Sequence, residues 1–408
     1  MLIIGFLLGI TVSYCQEVIS ISGKVLDKET SLPLANASIG IKGKYIGTIA
    51  NEQGEFEIHI PKDFSTDTLY ISILGYWNFF LKIDENNSDQ TLDVFLAPRP
   101  MILQEVVISP GLTSQEKINK SFENVTKNYP TQPFVMEGFY REIKKVNGVY
   151  VSLIEAAVDL YDRHGYKNCK VKNRHRLEDI DEMGVIRQIR KSYNFLHEEL
   201  ENEIGLQNNL LAYLLVQNPV KYPTRISNAK AWQENTVYLN DKIVYEIIEQ
   251  LNGVEIKYYL DSDTYAVLEY SEIRKGNYFE RKISDSISLK YFDMIKTVRF
   301  SSIKGMLYPK HLKLSWKVEK YSLGSHKPVV TLETDLELLL NRIDMKIFKL
   351  PSSKEKMKIY SLEWQSGKYN AAFWKNYNMI KETPLNKKIA ADLEKELPLE
   401  KQFRKSNE

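Results

Sequence analysis

Val18-Ile19-Ser20-Ile21-Ser22 alternates apolar and polar residues, and Phe56-Glu57-Ile58-His59-Ile60 does so again. Successive side chains of a strand point to opposite faces, so each stretch reads as a half-buried β-strand. Turn-forming residues punctuate the region at Asp27 to Thr30, Gly43, Asn51 to Gly54, Pro61 to Asp63 and Glu85 to Asp89. Short strands at a spacing of about ten residues predict a β-sandwich over residues 17–97. Val25, Ile39, Ile41, Phe56, Ile58, Leu69, Ile71 and Leu96 are expected to fill the space between its sheets. Gly47 and Gly54 suit tight turns that need a permissive backbone, and Pro33 fixes φ between two strands. The last strand, Thr91 to Leu96, runs into Ala97-Pro98-Arg99-Pro100, so residues 98–112 are expected to be a stiff linker.

Within this region Gly23-Lys24-Val25-Leu26-Asp27 leads to Thr30, Pro33-Leu34 and Ala37, then to Ile41, Gly43, Gly47-Thr48, Gly54, Phe56 and Ile58. Ser72-Ile73-Leu74-Gly75-Tyr76 follows. This spacing resembles the carboxypeptidase-regulatory-like domain, a transthyretin-like sandwich that also precedes the plug of many TonB-dependent receptors. Leu103-Gln104-Glu105-Val106-Val107-Ile108 resembles the run that follows the domain in those receptors. Lys44 stands where a Thr is usual, and Asn51 and Gln104 where an Asp is usual. The resemblance implies an interaction module of the bacterial cell envelope and carries over no catalytic residue. The receptor likeness stops near Ile108, because the strands beyond it lack the many amphipathic spans of a membrane barrel.

Beyond the linker, Thr113 with Glu116 makes a capping-box pattern, and Ile118, Phe122 and Val125 recur at helical spacing, predicting a helix over 113–129. Residues 134–162 read as two strands about the Val146-Asn147-Gly148 turn. A second helix is expected over Phe195 to Val216. Strands are expected at Thr236–Leu239, Val244–Gln250, Glu255–Leu260, Ala266–Arg274, Phe279–Ser288, Met294–Ile303, Leu307–Tyr321 and Pro328–Asn341. The fold class is therefore mainly β. An N-terminal transthyretin-like sandwich is followed over 113–350 by a larger antiparallel sheet or open half barrel with a few helices. Residues 351–408 form a helical C-terminal tail with a charged helix at Leu385 to Glu396. Parts of this body, Gly138-Phe139-Tyr140-Arg141-Glu142, Glu155-Ala156 and Phe373-Trp374, resemble exported regulatory-like proteins of no assigned activity. No internal repeat of fixed period is seen.

The first residues supply an address. Leu2 to Val12 are almost wholly apolar, too short a run for a bilayer, which needs about 20 residues. The run fits a signal-peptide core over 1–15, with Ser13 and Cys15 as small residues before a cut at Gln16, although no Lys or Arg precedes it. A lipid on Cys15 is the other reading, and Tyr14 departs from that pattern. Cys169 is the second cysteine of the chain, so the cores must hold without an internal disulfide once Cys15 is removed. A net charge of +2, with no basic block, argues against a nucleic-acid partner. No segment of the mature chain is long and apolar enough to span a membrane as a helix.

Tests for chemistry return little. His175-Arg176-Leu177-Glu178 with the distant His311 has the spacing of a zinc hydrolase, but Lys and Arg crowd residues 170–176 and would repel a dication. His197-Glu198-Glu199 lacks a second His, and two S-x-x-K matches lack their companion runs. Nothing near Cys169 argues for a lowered pKa. Asp261-Ser262-Asp263-Thr264 reads as a hairpin turn rather than a calcium loop, and Trp232, Trp316, Trp364 and Trp374 as packing rather than a sugar platform. No catalytic, cofactor or metal residues are assigned. The expected function is a non-enzymatic binding or scaffold protein of the envelope, exported to the periplasm or outer membrane of a Gram-negative bacterium. Its partner would be an envelope protein or an amphiphilic ligand. The alternatives are a periplasmic carrier of a lipid or other amphiphile, and a cryptic zinc hydrolase using His175, Glu178 and His311.

Overall fold

Strand β1 (Val18–Asp27) buries every second residue, as its alternation predicts. It pairs antiparallel with β4 (Glu55–Pro61) and parallel with β7 (Thr91–Leu96). A facing sheet has the order β3 (Gly47–Ile49), β2 (Ser38–Ile41), β5 (Thr68–Ser72), β6 (Phe79–Lys82). All eight core residues expected from the sequence are buried between these two sheets. The computed structural model describes residues 18–84, 91–99, 111–172, 179–194, 209–224, 232–324, 327–345, 349–358, 360–381, 384–395 and 397–405. The expected signal segment and most of the linker lie outside these. Gly54 has φ +74°, as its turn requires. Gly47 serves another purpose than the expected turn: it lies in β3, where a Cβ would stand 2.5 Å from the Ile39 carbonyl oxygen.

The second region is one antiparallel sheet of ten strands. A meander of β8 (Phe134–Val146), β9 (Val149–Asp162) and β10 (Glu182–Tyr193) supplies one side. The other comes from β11 (Trp232–Leu239), β12 (Lys242–Leu251), β13 (Val254–Asp261), β14 (Val267–Lys282), β15 (Ile287–Ile303), β16 (Met306–Ser322) and β17 (Lys327–Asp344). The two meanders join where β17 pairs with β8. The edge strands β10 and β11 do not pair with each other, so the sheet is open and not a closed barrel.

Two expectations need correction. Phe279–Ser288 is not one strand: it spans the end of β14 and the start of β15, with the reversal between them at 283–286. Asn277 and Gly276 mark a bulge inside a single long β14 rather than a strand break. Strand β10 was not anticipated, because Arg187, Gln188, Arg190 and Lys191 mask its alternation.

Helix α1 (Ser114–Glu123) carries the predicted capping box, Thr113 accepting from the Glu116 N–H while Glu116 accepts from the Thr113 N–H. It leads into a short α2 (Val125–Asn128). Of the second expected helix, Leu210–Leu215 is helical (α3), and 195–208 lie outside the described residues. Ile118, Val125 and the leucines of α3 pack on one face of the large sheet against residues such as Leu312, Leu314, Leu336 and Leu338.

The opposite face is covered by the sandwich and the tail. Ile49 of β3 meets Phe139, Ala157 and Leu339 of the sheet and Trp374 of α4 (Ala371–Lys375). Helices α5 (Pro384–Leu393) and α6 (Leu399–Lys405) pack Ile389, Leu393 and Phe403 on Tyr150 and Leu153. Between α4 and α5 the chain is a clasp. The Asn378 side chain accepts from the His59 N–H (2.7 Å) and donates to the His59 carbonyl (2.9 Å). Thr48 donates to the Met379 carbonyl at 3.1 Å. On the sheet side, Tyr377 donates its hydroxyl to the Gly138 carbonyl at 2.8 Å.

Candidate binding cleft

In antiparallel strands, directly opposed residues share a face. Glu249 on β12 faces Ile256 on β13, which faces Glu272 on β14, which faces Lys296 on β15. One row thus carries two carboxylates and an ammonium across four strands, on the face that bears α1–α3. The neighbouring rows place Tyr258 opposite Tyr270, and Val254 opposite Arg274. Phe122 of α1 and the chain between Val216 and Thr224, just after α3, form the other wall. The result is a cleft of about 370 Å³, partly open to solvent.

That second wall is fixed by buried polar contacts. Lys221 is ion-paired with Asp162 and donates to the Gly165 carbonyl at 2.9 Å. Tyr222 donates its hydroxyl to Glu182 at 2.5 Å, and Asn218 accepts from the N–H groups of Val220 and Lys221. These contacts anchor the segment to β9 and β10, across the sheet from the cleft's floor.

The two carboxylates differ sharply. Glu272 lies 2.5 Å from Lys296 and 2.6 Å from Arg274, and accepts from the Tyr270 hydroxyl at 2.9 Å. Burial pushes its carboxyl up, but Lys296 and Arg274 outweigh burial and hold it down at about 2. Glu249 is only 3% exposed, yet its Oε2 has no hydrogen-bond partner among the described residues. Burial first, then the Glu249 and Glu272 charges, push the Tyr258 hydroxyl well up, so it remains a neutral donor.

The Glu272 arrangement recurs elsewhere in the sheet. In Tyr140-Arg141-Glu142-Ile143-Lys144, the Tyr140 hydroxyl donates to Glu142 at 2.9 Å and Lys144 lies 3.1 Å from Glu142. In Tyr270-Ser271-Glu272-Ile273-Arg274, tyrosine, glutamate and cation hold the same positions. The row that contains Glu272 and Lys296 continues through Leu314 and Leu336 to Glu142. At β8 the pattern is closed over by Glu363, 3.4 Å from Lys144; at β14 it faces the cleft.

The residues singled out by the sequence lie elsewhere. His311 is buried beneath the sandwich, its Nε2 donating to the Glu337 carboxylate at 2.8 Å, and burial lowers its pKa. His175, Glu178 and His197 lie outside the described residues. Among the described residues, no three His, Cys, Asp or Glu side chains are placed to hold a metal ion. Burial pushes the Cys169 thiol up to about 12. Asp261 closes a hairpin turn, accepting from the Asp263 and Thr264 N–H groups and from Lys242 at 2.8 Å. The tryptophans are not assembled into a platform: Trp232 and Trp316 border the core under α1–α3 and Trp374 packs on the opposite face, while Trp364, against expectation, is exposed. Sequence reasoning missed Glu249. Its signal was a charge in the apolar phase of a strand, Ile247-x-Glu249-x-Leu251.

Residues 21–108 match the family model described as the CarboxypepD_reg-like domain, so the sandwich is a carboxypeptidase-regulatory-like domain. A comparison with curated proteins found no match. Among solved structures, a LolA superfamily protein from Nitrosomonas europaea is similar at 10% identity, covering 59% of this chain and 96% of that one, with a TM-score of 0.20. A putative outer membrane lipoprotein-sorting protein domain from Vibrio parahaemolyticus is similar at 6% identity, covering 58% and 95%, with a TM-score of 0.22. A DUF1329 family protein from Desulfovibrio piger follows at 8% identity, covering 57% and 94%, with a TM-score of 0.20. Likenesses this loose say nothing of ligand or partner.

Proposed function

We propose that this chain is a non-enzymatic binding protein of the bacterial cell envelope, with the regulatory-like sandwich as a docking module fused to a ligand-binding sheet. The observation that carries the reading is the cleft over β12–β15, whose floor combines tyrosines, apolar side chains and a buried carboxylate without a partner among the described residues. Small-molecule sites likewise set fixed polar groups among apolar and aromatic side chains, although the lining here, with Glu249, Glu272, Arg274 and Lys296, is more polar than most. A volume of about 370 Å³ is at the lower end of the roughly 300–1,000 Å³ usual for such sites. It suits a small ligand or the head of an amphiphile. The centre of the same face is filled by the α3 leucines, which disfavours a carrier that swallows whole acyl chains.

An envelope address is favoured by the apolar run before Gln16 and by the regulatory-like domain. No helix among the described residues is long and apolar enough to cross a membrane. The test is solvent extraction of protein purified without detergent, followed by mass spectrometry. A stoichiometric small or amphiphilic compound is expected, with no turnover of a peptide, ester and glycan panel. Turnover of any of these would sink the reading.

A further inference from the structure

We infer that the cleft recognises an ammonium group, and that the ligand is a primary or secondary amine carried on an apolar body. This rests on the binding reading above and adds the chemistry of the ligand. Ionised carboxylates are acceptors only, and a buried one without donors is costly, so native proteins seldom keep it without a use. Glu249 lines the cleft, is nine-tenths or more buried, and its inner oxygen Oε2 has no hydrogen-bond partner among the described residues.

The other charges of the cleft do not relieve it. Lys296 and Arg274 are both spent on Glu272. The cross-strand neighbours of Glu249 are aromatic and apolar, Trp232 on β11 and Ile256 on β13. Trp232 lies directly opposite it in the β11–β12 ladder and so projects from the same face, and Tyr258 and Phe122 line the same cleft. A carboxylate beside aromatic faces is the pairing that draws a cation out of water, the rings contributing through their quadrupoles. A donor with N–H groups is required, because a carboxylate that lacks hydrogen-bond donors needs a hydrogen rather than charge alone. Anionic heads are disfavoured at this end, since they would face the Glu249 carboxylate while Lys296 and Arg274 are held by Glu272.

The test uses the full chain and matched probes, n-hexylamine, n-hexanoate and n-hexyltrimethylammonium, titrated by calorimetry at pH 7. Hexylamine is expected to saturate one site with a dissociation constant on the order of 1 mM, as befits a fragment. Hexanoate should show no saturation, and the quaternary analogue should bind at least several-fold more weakly. Glu249→Gln should weaken hexylamine by about tenfold or more. It should also leave the thermal melt of the unliganded protein cooperative, like the parent's. That second readout shows that the variant folds. Equal binding of hexanoate, or unchanged hexylamine binding by a folded Glu249→Gln, overturns the inference. So does the absence of hexylamine saturation, even where extraction releases a bound compound; in that case the binding reading stands and only the ammonium assignment falls.

Discussion

At the scale of single residues, the sheet buries charges that burial makes costly. Lys310 is the plainest. It sits on β16 beneath the sandwich, and its ammonium donates to the Leu340 carbonyl at 3.2 Å. Burial lowers its pKa from 10.5 to about 8. The folded value lies below the unfolded one, so the group destabilises the fold wherever both states are protonated. That holds below about pH 8, at a cost on the order of 3 kcal/mol. Between about 8 and 10.5 the folded state sheds its proton first, and stability rises with pH. Lys310→Met is therefore expected to melt higher than the parent at pH 7, with the gap closing toward pH 10.5. Thermal melts across that range check it; a gap independent of pH would mean that packing, not charge, separates the two proteins. None of this was legible in the sequence. Lys310 looks like any strand lysine until a bulge and an overlying domain bury it.

At the scale of elements, legibility followed the period of the sequence. β1 and β4 declare themselves by alternation, the β8–β9 hairpin by Asn147-Gly148, and α1 by its Thr113–Glu116 box. Strand β10 hides because its buried positions include Arg190 and Lys191, whose partners lie far away in sequence. Arg190 binds Glu155 on β9 at 2.5 Å, Arg141 on β8 binds the same carboxylate at 2.7 Å, and Lys191 donates to the Glu363 and Gln365 carbonyls. Burial raises the Glu155 carboxyl, but Arg190 and Arg141 outweigh it and hold it below its ordinary range. One carboxylate thus ties three neighbouring strands. Glu155→Gln should destabilise the protein by about 3–5 kcal/mol in urea unfolding at pH 7, because two buried guanidiniums lose their shared counter-charge. Lowering the pH of the parent should erode the same contribution, since a depressed carboxyl loses its stabilising share as it protonates. A loss under about 1 kcal/mol would show that the strands are held by apolar packing alone.

At the scale of the whole molecule, the tail touches both β regions. Read from sequence, it is a helical appendage after the sheet. In the structure its helices flank a run, Tyr377 to Lys381, whose backbone carbonyls and Asn378 side chain bind β3, β4 and the turn between them, while its Tyr377 hydroxyl donates to β8. Bridging by single backbone and side-chain groups leaves no periodic trace, which is why composition could not foretell it. Trp374 adds an apolar anchor, packed edge-on against Phe139 and beneath the Arg190 guanidinium at 4.7 Å. If this clasp couples the regions, the parent should melt in a single calorimetric transition. The double variant Asn378→Ala, Trp374→Ala removes two hydrogen bonds, each worth about 1 kcal/mol, and a buried indole worth about 3–5 kcal/mol. It should resolve two transitions, with the sandwich and the sheet unfolding apart. Other contacts compete for that role. Tyr45 meets Tyr308 edge-on at 5.3 Å, and Arg99 stacks between Trp77 and Tyr238 while pairing with Asp241 at 2.9 Å. A single transition that merely moves down in temperature would transfer the coupling to them. The sheet–sandwich interface would then be self-sufficient, and the tail a cover rather than a clasp.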